Sequence, residues 1–257
     1  MGYRGGPQIQ SMIPLTSMVK KLMIANVAIW VLLQVILEGF ILDKPYLSYY
    51  FSLSPMRVVE DYFIWQPFTY MFLHSTSSLW HLIFNMLMLW WLGAELEMRW
   101  GSRFFLLYYL VCGVGAAFFY IIFVFGFSFV TGRMIGLLEA PVIGASGAIF
   151  GLMLAYGIIF GERIVYFMFL FAMKAKYMVM LLGAIEIFTI MTSGVDGRGG
   201  VSNLAHVFGL LSGFLFLTGW TRWQRRKSQK SGQRWGRKLK LVVNNEDDGE
   251  RGPKYWN

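Results

Sequence analysis

The sequence predicts an all-α membrane protein with six transmembrane helices and an interfacial loop between the first two. Hydrophobic residues make up 56% of the 257 positions and charged residues only 14%, whereas about a quarter of the residues of a soluble domain are charged. Apolar runs of spanning length recur along the chain, with most charges between them. Nine Lys or Arg and no acid lie between Arg222 and Lys240, which is typical of a cytoplasmic segment on anionic lipid.

Taken in chain order, apolar runs alternate with more polar connections. Lys20 and Lys21 precede the first run, which indicates a cytoplasmic start. The predicted spans are residues 22–42, 79–94, 104–127, 146–160, 177–192 and 203–220. Residues 43–78 contain three prolines and many aromatic residues, so we expect this segment to lie in the outer membrane interface. Residues 164–176 are expected to form a connection on the cytoplasmic side.

These elements predict one domain with two flanking segments. Residues 1–18 form a short cytoplasmic segment, residues 19–220 the six-span domain, and residues 221–257 a basic cytoplasmic tail that contacts anionic lipid. No cleavable signal peptide is recognised, so the first run should remain as a span. No organelle signal is recognised either, which favours the inner membrane of a prokaryotic cell. The tail is not expected to bind nucleic acid, because no fold that reads nucleic acid is visible.

A serine between glycines, in Gly144-Ala145-Ser146-Gly147, stands at the head of the fourth apolar run. One interpretation is packing, because Gly147 and Gly151 form a small-xxx-small face on which two membrane helices can meet. The other is that Ser146 is a nucleophile left unobstructed by its small neighbours. The stretch is not the G-x-S-x-G elbow of soluble hydrolases, since Ala148 replaces the second glycine.

The depth of the polar residues favours the second interpretation. Spans two, four and six run in the same direction, and His81, Ser146 and His206 lie 14, 16 and 16 residues before the charges that end those spans. At ~1.5 Å per residue, all three lie roughly 21–24 Å above the inner boundary. Asn85 follows His81 one turn deeper on the same helix face. Polar residues at one depth inside a membrane must face a polar interior or a cavity.

This constellation supplies the groups that peptide hydrolysis requires. Ser146 can attack a carbonyl carbon, His206 can accept its proton, and His81 with Asn85 can donate to an oxyanion. Small residues beside His206 should let the sixth span pack closely on the glycine face of the fourth. Glu186 lies deeper in the fifth span by the same count. We therefore expect a Ser–His dyad without an orienting acid, and a structural polar contact at Glu186.

At these residues the sequence resembles the rhomboid family of intramembrane serine proteases over about residues 60–220. The matching motifs are Gly144-Ala145-Ser146-Gly147, Ala205-His206-xx-Gly209, His81-Leu82-Ile83-Phe84-Asn85 and Glu97-x-Arg99-x-Gly101. The resemblance implies a six-span rhomboid bundle of the bacterial type. It also implies cleavage of single-span membrane proteins near the outer surface, without a metal, another cofactor or ATP.

The resemblance also assigns roles to individual residues. It implies Ser146 as nucleophile, His206 as general base, and an oxyanion hole formed by His81, Asn85 and the Ser146 backbone N–H. Supporting positions are Phe150, which matches an aromatic packed on the catalytic histidine, and His74, which matches a histidine that retains water. Apart from the resemblance, the small residues Gly144 and Gly147 fit a small side chain at the cleavage position. Trp65-Gln66 departs from the Trp-Arg of many relatives, so an arginine anchor of the first outer segment is absent or replaced.

Three alternatives remain at the level of the sequence. A zinc hydrolase is suggested by His74, His81 and His206, but no His-Glu-x-x-His motif accompanies them. A catalytically silent rhomboid-like protein would bind transmembrane segments without cutting them. A transporter is the third alternative, although no repeat of broken helices is apparent.

Overall fold

The computed structural model describes residues 13–132, 135–167, 171–194 and 200–236. The chain divides into two units, Met1–Leu217 and Thr218–Asn257. In the second unit the described residues are helical. Much of the predicted N-terminal segment and of the predicted basic tail lies outside the described residues.

Helices account for most of the described chain. They are α1 (Ser17–Ala28) with a π-helical continuation (Ile29–Leu42), α2 (Tyr46–Phe51), α3 (Pro55–Val59), α4 (Gln66–Thr69) with a 3-10 turn (Tyr70–Phe72), α5 (Leu79–Trp100), α6 (Ser102–Thr131), α7 (Ile135–Glu139), α8 (Ser146–Ile159), α9 (Ala175–Ser193) and α10 (Gly200–Gly236). Among the described residues, five helical segments are long and apolar enough to cross a membrane, and α8 is a shorter apolar helix. The predicted all-α membrane bundle is confirmed.

The first span begins five residues earlier than predicted, because α5 supplies the group that caps it. The Glu97 carboxylate accepts hydrogen bonds from the backbone N–H groups of Met18 and Val19, each at 2.9 Å, and from the Thr16 hydroxyl at 2.5 Å. The Ser102 hydroxyl at the start of α6 also donates to it. One carboxylate thus joins the first three spanning segments and satisfies N–H groups that a helix start leaves unpaired.

The interfacial loop between the first two spans is a series of short helices rather than an extended connection. Aromatic rings pack on one another along its surface, with Phe63 stacked on Trp65 at 4.9 Å and near Tyr50 at 5.6 Å between ring centroids. Tyr50 and Trp65 remain more than one-third exposed. Amphipathic rings of this kind are favoured at a membrane–water interface.

Gln66 holds this loop at the position where the resemblance noted above implied an arginine. Its side chain is fully buried, its amide oxygen accepts from the Ser54 N–H at 3.0 Å, and its amide nitrogen donates to the Tyr49 and Tyr50 carbonyls at 3.3 and 3.2 Å. An arginine could donate to the two carbonyls but could not accept from the Ser54 N–H. The arginine anchor is therefore replaced by an amide that uses both of its polar ends.

Polar residues of the first span tie down both ends of the same loop. Gln34 and His74 exchange two hydrogen bonds, in which the Gln34 amide donates to the His74 carbonyl at 2.9 Å and accepts from its N–H at 2.8 Å. Four residues along the first span, the Glu38 carboxylate accepts from the Ser48 N–H at 3.0 Å. Gln34 and Glu38 are both buried, so the π-helical half of the span faces the loop with its polar residues.

Helix α8, which corresponds to the fourth predicted span, is unusually short for a spanning element. Its 14 residues rise only about 21 Å, compared with a hydrocarbon core of about 30 Å. The chain reaches α8 through an extended stretch in which Val142 pairs with Leu53 of the interfacial loop as an isolated antiparallel bridge. The N-terminus of α8 can thereby lie within the membrane thickness while the loop covers the remaining distance.

Residues 164–176, predicted as a connection, contain a β-hairpin that the sequence did not predict. Strands β1 (Ile164–Phe167) and β2 (Phe171–Lys174) form an antiparallel hairpin in which Ile164 lies opposite Lys174. The Glu162 carboxylate before the hairpin accepts from the ammonium groups of Lys174, at 2.7 Å, and Lys176. The two strands satisfy each other's backbone hydrogen bonds. A run of apolar residues does not by itself predict such pairing.

Replacing Glu97 should destabilise the first span more than replacing an exposed neighbour. We expect Glu97→Ala to lower the free energy of unfolding by about 2–4 kcal/mol, because buried donors lose a charged acceptor and the helix start loses its cap. The melting temperature of purified protein in detergent measures the effect. Arg99→Ala, on the exposed face two residues later, is the control, and equal melting temperatures for the two variants would contradict the capping role.

Gln66→Ala should loosen the interfacial loop without unfolding the bundle. Loss of three hydrogen bonds to backbone groups of the loop, of which the Ser54 N–H is buried, should cost roughly 1–3 kcal/mol locally. Limited proteolysis should then cut within residues 43–78 faster than in the wild type. Glu60→Ala, at an exposed position of the same loop, serves as the control. Unchanged proteolysis of Gln66→Ala would show that the other contacts of the loop hold it without Gln66.

Candidate active site

Ser146 is the first residue of α8, and the segment before it is shaped to place it there. The Gly144 N–H donates to the Tyr70 carbonyl at 2.9 Å. Gly144 has φ +119°, a backbone conformation that residues with side chains rarely adopt. A Cβ on Gly144 would also lie 3.0 Å from the His81 ring. A glycine is therefore required between the ring of His81 and the hydroxyl of Ser146.

The close approach of α8 and α10 brings His206 to Ser146. A Cβ on Gly209 would overlap the carbonyl oxygen of Gly147, and a Cβ on Gly151 would lie 3.3 Å from the carbonyl oxygen of Gly209. Small residues allow membrane helices to approach in this way. His206 lies three residues before Gly209 and thus on the same face of α10. The sequence suggested packing by the glycine face and a nucleophile at Ser146 as alternatives. In the structure the two occur together, because the close packing of the glycines makes the contact between Ser146 and His206 possible.

The Ser146 hydroxyl and the His206 imidazole form a direct hydrogen bond. Oγ of Ser146 lies 2.8 Å from Nε2 of His206, within the range expected for a nucleophile and its base. The ring of Phe150 is stacked on the imidazole, with centroids 4.2 Å apart and an angle of 8° between the planes. Phe150 is one turn after Ser146 on α8, so a single helix carries both the hydroxyl and the surface that fixes the ring plane.

The other ring nitrogen of His206 contacts an acid, contrary to the expectation of a dyad without one. Nδ1 of His206 lies 3.0 Å from Oε1 of Glu186 on α9, and both side chains are less than one-fifth exposed. The prediction that no acid is placed to orient His206 is wrong. Counting residues along a span gives only the depth of the backbone. The carboxylate of a glutamate lies several ångströms from its backbone, so Glu186 can contact His206 although its backbone lies deeper. An acid within an otherwise apolar span was itself a signal of this contact.

His81 and Asn85 lie across the cleft from the serine on α5. Nδ1 of His81 accepts from the Ser75 N–H at 3.3 Å. In the neutral ring the proton must then reside on Nε2, the atom that approaches Gly144 and thus the serine. The Asn85 amide nitrogen donates to the His81 carbonyl at 2.7 Å within the helix and retains a second N–H. Two side-chain donors can therefore serve a negative charge that develops next to Ser146.

These side chains line one cleft of about 410 Å³. Its polar lining consists of Ser78, His81, Asn85, Ser146, Ser202 and His206, and its apolar lining of Trp80, Phe84, Met88 and Ile149. Trp80 and Phe84 are more than half exposed on α5. The cleft thus joins a polar interior to an apolar outer edge.

His74 lies behind His81 rather than in the cleft itself. It is fully buried, its ring centroid is 5.2 Å from that of His81, and neither of its ring nitrogens has a hydrogen-bond partner in the described part of the chain. Burial, with a smaller contribution from the charge of His81, lowers the pKa of His74 to about 4. His74 is therefore neutral near pH 7, and its buried nitrogens are suited to binding water next to His81.

The three histidines do not form a cluster with other metal-binding residues. Over the described ranges, no group of three or more His, Cys, Asp or Glu side chains could hold a metal ion. His206 is engaged instead by Ser146 and Glu186, one at each ring nitrogen. What the geometry presents is a hydroxyl paired with an imidazole.

The fold and the cleft together define an integral membrane protein with a serine–histidine pair inside its helical bundle. A comparison with known protein families matches residues 63–225, more than half of the chain, to the Rhomboid domain. The chain therefore belongs to the rhomboid family, whose members are in general serine intramembrane proteases. A comparison with curated proteins finds no match.

Acid should destabilise the protein in part through His74. Because its pKa lies below that of a histidine in the unfolded chain, stability present above about pH 6.5 is lost as the pH falls toward 4. This linkage amounts to about 2 kcal/mol at pH 5. We expect His74→Gln to lose less melting temperature than the wild type between pH 7 and pH 5. An equal loss in both proteins would contradict a neutral buried His74.

Proposed function

We propose that this protein is an intramembrane serine endopeptidase that cleaves single-span membrane proteins near the outer face. The observation that supports this most directly is the 2.8 Å hydrogen bond between Ser146 Oγ and His206 Nε2 in a cleft with an apolar edge. Membership of the rhomboid family makes peptide-bond hydrolysis within the membrane the expected chemistry. A rhomboid-like protein that binds transmembrane segments without cutting them would not need this pair.

In the proposed reaction, Oγ of Ser146 attacks the carbonyl carbon of the scissile peptide bond while its proton passes to Nε2 of His206. The tetrahedral intermediate collapses as His206 returns that proton to the leaving nitrogen, which departs as an amine. A water molecule then gives a proton to Nε2 and attacks the acyl-enzyme ester. Collapse of the second intermediate releases a carboxylic acid and returns the proton to Ser146.

His81, Asn85 and the Ser146 backbone N–H are the proposed oxyanion donors. The proposed tautomer of His81, with its proton on Nε2, follows from its bond to the Ser75 N–H. Ser146 begins α8, so its N–H is among the groups that a helix start leaves without an intrahelical partner. The positive end of the helix dipole at the same point also favours negative charge. Each donor of this kind is typically worth about 2.7–4 kcal/mol in the transition state.

A substrate span is proposed to enter sideways from the lipid, between α5 and α9. The exposed rings of Trp80 and Phe84 line the cleft on the α5 side. A substrate with a helix-weakening stretch could unwind there and place its backbone beside Ser146. Gly144 and Gly147 leave room for a small side chain at the cleavage position. The His74 side chain would retain the water that hydrolyses the ester.

The remaining assignments concern the placement of the chain in the lipid bilayer. We place both termini in the cytoplasm, residues 19–220 in the protease domain, and residues 221–257 in a basic tail on anionic lipid. The inner membrane of a prokaryotic cell is the proposed location. The lysines before the first span and the basic run after the last one support this orientation.

Cleavage of a model single-span substrate by purified full-length protein in detergent tests the proposal. We expect the wild type to cut and Ser146→Ala and His206→Ala to lose about 10³-fold or more of the rate, with no effect of EDTA on the wild type. Cutting by Ser146→Ala would overturn the serine mechanism. Crosslinking of substrate to a wild type that never cuts would instead indicate the silent binding protein.

A further inference from the structure

The contact between Glu186 and His206 is not needed by a simple pair of serine and histidine. It joins α9 to α10, with Oε1 of Glu186 at 3.0 Å from Nδ1 of His206. The Glu186 side chain is 14% exposed, in a helix whose other members are almost all apolar. A carboxylate in such a place is unfavourable unless it is paired or hydrogen-bonded.

The position of the carboxylate determines which ring nitrogen of His206 carries the proton. An ionised carboxylate only accepts hydrogen bonds, so the contact requires the proton to be on Nδ1. In the neutral ring Nε2 is then a lone pair, and it is Nε2 that faces the Ser146 hydroxyl at 2.8 Å. In the opposite tautomer Nε2–H would donate to the Ser146 hydroxyl and could not accept its proton, and no proton would lie between His206 and Glu186.

We propose that Glu186 is a positioning residue that holds His206 in the tautomer and orientation needed to accept the proton of Ser146, so that this chain works with three residues rather than two. The inference rests on the proposed function and deepens it. The serine proton moves only to Nε2, and the Glu186 carboxylate accepts the hydrogen bond from Nδ1 throughout. When His206 becomes an imidazolium, the negative charge of Glu186 stabilises it.

Three contacts then fix the position and the plane of the His206 imidazole. Glu186 and Ser146 fix the ring at its two nitrogens, and the stacked ring of Phe150 fixes its plane. His81 is the other titratable side chain that faces the same cleft, from α5. It contacts Ser75 through Nδ1 and supplies no acceptor for Nδ1 of His206. Glu186 is thus the group that the described geometry offers for this role.

The competing explanation is that Glu186 only fastens α9 to α10. Both explanations predict some loss of stability when Glu186 is replaced. They differ in the rate of the chemical step at an intact fold, because a fastening contact is served by any hydrogen-bonding side chain. A glutamine can still bond Nδ1, but it lacks the charge, and its NH₂ group can donate to Nδ1 and favour the wrong tautomer.

The test measures covalent labelling of Ser146 by a fluorophosphonate probe, which needs no identified substrate. The serine oxygen attacks phosphorus, fluoride leaves, and the serine proton passes to His206. The maximal labelling rate, kinact, and the half-saturating concentration, KI, are measured for full-length protein in detergent, together with the melting temperature. The variants are Glu186→Gln and Glu186→Asp. Thr189→Val is the control, because the Thr189 hydroxyl lies on the same helix and donates only to the Ile185 carbonyl within it in the described structure.

We expect Glu186→Gln to lower kinact about 100-fold with KI nearly unchanged, and Thr189→Val to leave both unchanged. Glu186→Asp retains the charge and should be faster than Glu186→Gln. Wild-type kinact in Glu186→Gln would overturn the proposal. Equal losses in Glu186→Gln and Glu186→Asp, accompanied by lower melting temperatures, would overturn it in favour of the fastening contact.

A second variant covers the case in which Glu186→Gln does not fold. Glu186→Ala leaves space for a small acid, and added formate should raise its kinact where the same concentration of chloride does not. Failure of formate to act on a folded variant, or failure of all three variants to fold, would overturn the proposal. Failure of the proposed function is distinguished separately, because Ser146→Ala would then label at the same rate as the wild type.

Discussion

The close approach of α8 and α10 is the constraint on which the rest of the site depends. Gly147 and Gly209 meet backbone to backbone, and a side chain on Gly209 would overlap the Gly147 carbonyl. This approach sets the distance between the serine on one helix and the histidine on the other. Apolar side chains drive membrane helices together weakly, because lipid is as apolar as they are, so close packing of small residues supplies the attraction. The same contact therefore holds the bundle together and aligns the reacting groups.

Because α8 is short and begins with Ser146, the start of this helix sets where the packed serine and histidine lie along the bundle. Helix α8 begins with Ser146, and the extended stretch before it is held by Gly144 and by the pairing of Val142 with Leu53. The interfacial loop in turn is held by Gln66 and by the first span through Gln34. Elements far from the cleft in sequence thus fix where α8 begins. A site within the membrane requires such a scaffold, since unpaired backbone in lipid would be costly.

Much of the fold and of the central pair was predictable because both leave periodic or positional signals in the sequence. Apolar runs predicted the spans, and the common depth calculated for His81, Ser146 and His206 predicted that they face one cavity, where the structure brings them together. The signals failed where a contact depends on side-chain reach or on a distant partner. The cap by Glu97 moved the start of the first helix, and Glu186 reached a histidine that its backbone level did not suggest. The hairpin of residues 164–174 is formed by backbone pairing, and such pairing produces no periodic pattern of apolar residues in the sequence.

The anchor of the interfacial loop also has a consequence for the surroundings of the protein. A guanidinium in that position would be attracted to anionic headgroups and counter-ions, and its hold on the loop would vary with both. The neutral amide of Gln66 is buried and bonded only to backbone groups, so screening by salt has almost nothing to act on. The hydrogen bonds of Gln66 to the interfacial loop therefore keep nearly the same strength in membranes of different lipid charge and at different ionic strengths.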